Sequence, residues 1–222
     1  MSAAPKIGVI HTSPATVDLF GRLLRDRLPG ATVVNLLDDS ILPELRDNGS
    51  DLSAVEPRWR DYARIVSARG VDILLNACSS VGELCARVQG EIPQPIVRID
   101  AAMAREAVRR GARIGVLATL ATTLRPTSDL IRETAGEVGK TVAVDAVLVR
   151  GAYEALVEGD QSRHNDLVAV ALAHSARTHD AVVLAQASMA RVLPRLDPTA
   201  QGKVLTSPPF AVEDVAQRLS SR

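Results

Sequence analysis

RIGVLAT, residues 113–119, is a second copy of KIGVIHT, residues 6–12. Each is a short apolar run bounded by polar residues, the pattern of a buried strand. The echo continues along the chain. DAVVLAQAS (180–188) repeats DILLNACSS (72–80), and KVLTSP (203–208) repeats PIVRID (95–100). The spacing holds: Ile7 to Ile114 is 107 residues, Asp72 to Asp180 is 108, and Val97 to Leu205 is 108. Three matches at one offset imply two copies of one βα unit.

Working outward, KIGVIH (6–11) reads as the first strand. Ser13-Pro14 then looks like an N-cap followed by proline at the first helical position. That helix is expected to run to about Leu28, where Pro29-Gly30 ends it. ATVVNLL (31–37) is a second strand, and 38–56 reads as a polar, irregular loop over the site. A helix at about 57–69 ends at Gly70, VDILLNA (71–77) is the third strand, and a short helix should follow Cys78 before a strand at PIVRI (95–99). Strands alternating with helices favour parallel pairing. The expected fold is therefore α/β, with two pseudo-symmetric Rossmann-like (flavodoxin-like) halves, each holding a four-stranded parallel sheet. The strand C-termini are expected to face a cleft between the halves, because ligands of open α/β sheets bind at that edge.

Composition bounds the function. The 222 residues suffice for one large or two small domains, and 46% apolar with 23% charged is ordinary for a soluble globular chain. Lys+Arg and Asp+Glu both number 26, so nothing electrostatic points to nucleic acid or an anionic membrane as partner. Aromatics at 2% leave few platforms for stacking a base or a flat cofactor. No apolar run approaches the roughly 18–20 residues that span a bilayer. The N-terminus lacks signal-peptide organisation, so a cytoplasmic, reduced setting is expected. Two cysteines seven residues apart make neither a disulfide framework nor a zinc site. No glycine-rich phosphate loop, dinucleotide fingerprint or serine elbow follows any strand, and no H-x-x-x-H or carboxylate pattern points to a metal.

The polar residues fall at the ends of the apolar runs: His11, Thr12 and Ser13; Asn76, Ser79 and Ser80 around Cys78; Thr119, Thr122 and Thr123; Gln186 and Ser188; and Thr206-Ser207. Cys78 follows a strand and opens a helix, where amide N–H groups and the helix dipole stabilise an anion. A free thiol has a pKa near ~8.5, and such positions are among those that lower it. Cys78 is thus a candidate base or nucleophile, with a packed, inert cysteine as the other reading. Cys85, within ELCARV, reads as packing. His11 would bond substrate or thiol, or cap the next helix. The threonines would donate to an oxyanion or cap the helix before Pro126. Asp100 would orient a donor, bind an amine, or cap the junction of the halves. His164, His174 and His179 read as surface or capping residues.

NACSSVGE (76–83), RIDAAMAREAV (98–108), GVLATLATTLRPT (115–127) and the paired halves together resemble the aspartate/glutamate/hydantoin racemase superfamily, over essentially the whole chain. The resemblance implies a cofactor-independent isomerase acting on a small carboxylic acid or amino-acid derivative, and a homodimer. It also implies a first half of 1–100 plus 208–222, closed by a final helix at about 211–220, and a second half of 101–207. In racemases of that family one cysteine from each half serves the α-carbon. The first falls on Cys78. The second falls on Gln186, which can donate and accept hydrogen bonds but cannot act as acid or base at neutral pH. Where a two-cysteine relative reads like GCAGM, this chain has AQASM (185–189). The resemblance therefore leaves single-thiol isomerase chemistry, a lyase or decarboxylase, or a binding protein that has lost turnover.

Overall fold

The computed structural model describes residues 4–221, apart from the side chain of Ser188. The chain divides into two compact units. One runs to Asp100 and resumes at Pro208; the other spans Ala101–Ser207.

The first unit is built from β1 (Lys6–His11), α1 (Pro14–Arg27), β2 (Thr32–Leu37), α2 (Ile41–Asp47), α3 (Glu56–Ser67), β3 (Ile73–Asn76), α4 (Leu84–Val88) and β4 (Ile96–Arg98). All neighbours pair in parallel, in the order β2-β1-β3-β4. Alternation along each strand sends side chains to opposite faces, and both faces are covered. Ile7, Val9, Ile73 and Leu75 pack with Phe20 and Leu24 of α1. Ile10 and Leu74 pack on the other side with Trp59, Ala63 and Val66, which recur at helical spacing along α3. Gly8 of β1 faces Val66 of α3. A Cβ there would lie 2.2 Å from Val66 Cγ1, so only glycine fits.

The second unit follows the same plan: α5 (Ala101–Arg110), β5 (Arg113–Ala118), α6 (Ala121–Glu137), β6 (Ala143–Leu148), α7 (Ala152–Val157), α8 (Gln161–Thr178), β7 (Ala181–Leu184), α9 (Pro198–Lys203) and β8 (Val204–Thr206). Its sheet order is β6-β5-β7-β8, again parallel. The repeat extends to register. Ile7 stands opposite Ile73, and Ile114 opposite Ala181. It extends to a side chain as well: Asp72 accepts from the Lys6 amide at 2.7 Å, and Asp180 accepts from the Arg113 amide at 2.9 Å. Leu117, Val182 and Leu184 pack against Val168 and Leu172 of α8. The last helix, α10 (Ser207–Ser220), places Ala211, Val212 and Val215 in the same core as Ile7 and Val9.

Three expectations need correction. Segment 38–56 is not an irregular loop: it holds α2 and a 3-10 turn at Leu52–Ala54. Ile41 and Leu45, four apart, bury one face of α2 with Leu52 and Val55, and that burial orders a segment whose polar residues hid the pattern. The element directly after Cys78 is a 3-10 turn at Ser79–Val81, and the α-helix starts only at Leu84. Finally, His164 is buried and not on the surface, whereas His179, also buried, caps the end of α8, its amide donating to the Ser175 carbonyl at 3.0 Å. His164 Nδ1 lies 2.8 Å from the Ala152 carbonyl, and His179 Nε2 lies 2.8 Å from Asp145 Oδ2.

Candidate active site

In a sheet ordered β2-β1-β3-β4 the chain leaves β1 in opposite directions on its two sides. Ligands of such sheets bind beyond the carboxyl ends of the strands flanking that point. In the first unit those strands are β1 and β3. Thr12 follows the first and Cys78 stands two residues past the second.

Cys78 has extended backbone (φ −143°, ψ 120°) and begins the Ser79–Val81 turn. Its side chain makes no capping hydrogen bond to that turn. The Thr12 hydroxyl, the amides of Ser80 and Val81, and the Ser80 hydroxyl nevertheless lie close enough to favour a thiolate. Burial outweighs them and pushes the thiol's pKa up, so the resting group is the protonated thiol. The stabilising donors are local amides and hydroxyls. A three-residue turn carries little of the dipole expected of a full helix. Ser79 and Ser80 are both buried, and the Ser80 Oγ has no full hydrogen-bond partner. Asn76 is fully buried and donates from Nδ2 to the Cys78 carbonyl at 2.8 Å, which holds the loop that carries the thiol.

In the second unit the strands flanking the corresponding point are β5 and β7. Gln186 takes the place of Cys78, with nearly the same backbone (φ −133°, ψ 134°), at the start of a 3-10 stretch, Ala187–Arg195. Its Oε1 accepts two hydrogen bonds from one residue: the Thr119 amide at 2.6 Å and the Thr119 hydroxyl at 2.9 Å. The Thr119 amide settles the orientation of the Gln186 group, since the reversed group would set an NH2 donor against the backbone N–H. The Nε2 hydrogens are therefore turned away from Thr119. The half-buried Gln186 offers a pair of donors and no exchangeable acid.

Two other candidate residues, His11 and Thr123, take internal partners. His11 is fully buried, with Nδ1 2.8 Å from Thr16 Oγ1 and Nε2 2.9 Å from Asn35 Oδ1. Burial lowers its pKa, against the hydrogen bond to Asn35, and favours the neutral ring. Thr123 turns its hydroxyl back to the Leu120 carbonyl at 2.9 Å. Thr122 is buried in the first turn of α6. Ser13 precedes α1 and makes no capping bond, so its hydroxyl is not committed to that helix. Ser207 is buried at the start of α10. The side chain of Ser188 lies outside the described residues. Cys85 is buried and its pKa is pushed up to about 12, which makes it inert. Among the described residues no group of three or more His, Cys, Asp or Glu is placed to hold a metal ion, and no helix is long and apolar enough to cross a membrane.

Two residues that matter carried no obvious signal. Asn35 lies mid-strand in β2, and Arg98 ends β4 beside the Asp100 already singled out. Arg98 donates to Asp100 from Nε at 2.7 Å and from Nη2 at 3.3 Å. An arginine ahead of a buried carboxylate at a strand end is the pattern to look for.

A family model for Asp/Glu/hydantoin racemases matches residues 7–215. The chain belongs to that family. It is thereby an enzyme of the isomerase class, of the racemase type. None of the curated protein sequences matches it. Solved structures similar to it include a glutamate racemase isoform of Bacillus anthracis, at 14% identity and a TM-score of 0.78 over 99% of this chain and 83% of that one. A glutamate racemase of Francisella tularensis in complex with D-glutamate follows, at 15% identity and a TM-score of 0.73 over 99% and 82%. An allantoin racemase of Klebsiella pneumoniae reaches 20% identity and a TM-score of 0.66 over 97% and 88%. At these identities the likeness is one of fold. Within the racemase fold, this chain carries a thiol at the switch point of one sheet and an amide at that of the other.

Proposed function

We propose that this racemase-family chain is a cofactor-independent isomerase of a small carboxylic acid or amino-acid derivative, with Cys78 as its base or nucleophile. The observation that carries the reading is the surroundings of the Cys78 sulfur. Two hydroxyls and two amides stand around a buried thiol at the switch point of its sheet, ready for a negative charge that burial alone would forbid.

As a base, the thiolate takes the proton from the carbon next to the carboxyl group. The C–H electron pair moves into the carboxyl as an enediolate, and the same thiol returns the proton. As a nucleophile, it adds to the double bond of an unsaturated acid, the carbon–carbon bond rotates, and the sulfur leaves. The addition route isomerises with one thiol. In the base route one thiol exchanges the α-hydrogen on one face without inverting the carbon, and inversion there takes its proton from a different donor on the other face. Gln186 cannot accept or release a proton at neutral pH, so its part is confined to hydrogen bonds to a substrate oxygen.

The test is proton NMR in heavy water, with aspartate, glutamate, a hydantoin, maleate and a substituted malonate, beside a Cys78→Ser control. Cysteine-dependent deuteration or isomerisation is the expected result. Loss of carbon dioxide would replace the isomerase by a lyase. Tight binding of a carboxylate without turnover would make the chain a binding protein.

A further inference from the structure

Gly82 has ordinary right-handed helical backbone (φ −59°, ψ −36°), where alanine is at least as comfortable. Its small size is required by a neighbour. A Cβ on it would lie 2.4 Å from Arg98 Nε, 2.7 Å from Cζ and 2.9 Å from Nη2. The guanidinium thus lies directly against the Gly82 backbone. It is not free to swing aside: Asp100, fully buried, grips it in a two-pronged ion pair, and the Arg98 side chain is itself only 13% exposed. Burial works against the guanidinium charge, but Asp100, with Glu83, more than restores it.

Gly82 is also a joint. Its amide donates to the Ser79 carbonyl at 3.1 Å and closes the turn that Cys78 begins. Its carbonyl accepts from the Cys85 amide at 3.1 Å and starts the next helix. At the other end of the same turn, Asn76 holds the Cys78 carbonyl. Asn76 and Arg98 are register partners on β3 and β4. Side chains from one rung of the sheet therefore pin the thiol's turn at both ends.

We propose that the Arg98–Asp100 pair is a positioning device for Cys78: through Gly82 it fixes the turn that aims the Ser80 and Val81 amides at the sulfur. The proposal rests on the reading of Cys78 as a working thiol. Arg98 and Asp100 do not touch the reacting atoms. A buried ion pair is a weak source of stability, because desolvation offsets its attraction, so fixing geometry is the better account of its place here. Arginine is needed for its flat, forked head, which a lysine cannot reproduce.

The test is a double-mutant cycle on the full chain with Gly82→Ala, Arg98→Lys and both together. The readout is ionisation of Cys78 by ultraviolet thiolate absorbance, each variant differenced against the same variant carrying Cys78→Ser, with thermal melting alongside. Arg98→Lys keeps the charge, so any shift reports geometry. Each single variant should raise the Cys78 pKa by about one unit, a tenfold loss of thiolate at fixed pH. The double variant should be no worse than either, because the lysine leaves room for the new methyl group. Asp100→Asn sharpens the test: loss of its negative charge alone would lower the thiol pKa, whereas a loosened turn raises it. Should Gly82→Ala fail to fold, Arg98→Lys and Asp100→Asn still decide. Folded variants with an unmoved thiol titration, or shifts that add in the double variant, would overturn the proposal. A wild-type thiol that never ionises before unfolding would overturn the reading of Cys78 itself, and the proposal with it.

Discussion

Thr12 and Thr119 follow the first strand of their respective units, and each points its hydroxyl at the residue just past the third. In the first unit that residue is Cys78, in the second Gln186, and the two have nearly superimposable backbone angles. The scaffold is the same and the chemistry differs. A hydroxyl facing sulfur favours a thiolate, which can take and return a proton. A hydroxyl facing an amide oxygen only orients that amide, leaving two donors and no acid. The aim of the threonine is the same in both units, while the chemistry of its target differs: a thiol in one, an amide in the other.

The largest effect should separate these two positions. Cys78→Ser should cost roughly a hundred- to ten-thousand-fold in kcat, the usual worth of a general base, and leave the melting temperature nearly unchanged. Gln186→Ala should leave kcat within a few-fold and raise KM by roughly tenfold, the worth of a hydrogen bond to a charged group. Equal kcat losses in both would erase the distinction. A step smaller, the paired threonines should differ in kind. Thr12→Val removes a donor from the thiolate, and should lower kcat and move the activity profile to higher pH by about one unit. In Thr119→Val the backbone amide still holds Gln186, so only KM should change. For the wild type, activity should keep rising with pH past 9.0, because burial holds the Cys78 pKa above that ordinary thiol value. A plateau already reached at neutral pH would contradict a base of raised pKa.

Stability should carry smaller traces of the same burial. The Cys85 thiol keeps its proton to about 12 in the folded chain, against 9.0 for an ordinary thiol. The unfolded chain releases that proton first, so stability should fall as pH rises from about 9 toward 12. Cys85→Ala should flatten this alkaline loss while costing about 1 kcal/mol at neutral pH, as read from denaturant unfolding at several pH values. His11 gives the opposite slope. Its folded pKa lies below the ordinary 6.5, so its contribution is present above that value and lost as pH falls through it. Replacing His11 by glutamine should remove part of the acid sensitivity, the smallest effect of the series.

Much of this architecture is legible in the chain because duplication wrote it twice. RIGVLAT against KIGVIHT locates β5 and β1 to within a residue, and the shared offset anticipates the matched register of Ile7 with Ile73 and Ile114 with Ala181. Cys78 and Gln186 stand out for the same reason, as the position where the two copies disagree most in chemistry. What stayed hidden depends on contacts distant in sequence. Segment 38–56 looks like a loop because Ile41 and Leu45 are scattered among charges, and only a sheet face already covered by α3 gives them somewhere to bury. His11 looks like a site residue because it ends a strand, yet Asn35, from the neighbouring strand, takes its ring inward. Gly82 looks like an ordinary helix glycine, and the guanidinium that excludes a side chain there comes from Arg98, sixteen positions on.

The most direct test of a single working thiol is the configuration of substrate recovered from heavy water after partial deuteration of its α-carbon. One base that takes and returns the proton on one face predicts deuterium with retained configuration, absent in Cys78→Ser. Deuterium accompanied by inversion would show a second acid on the opposite face, and would contradict the division of labour between Cys78 and Gln186.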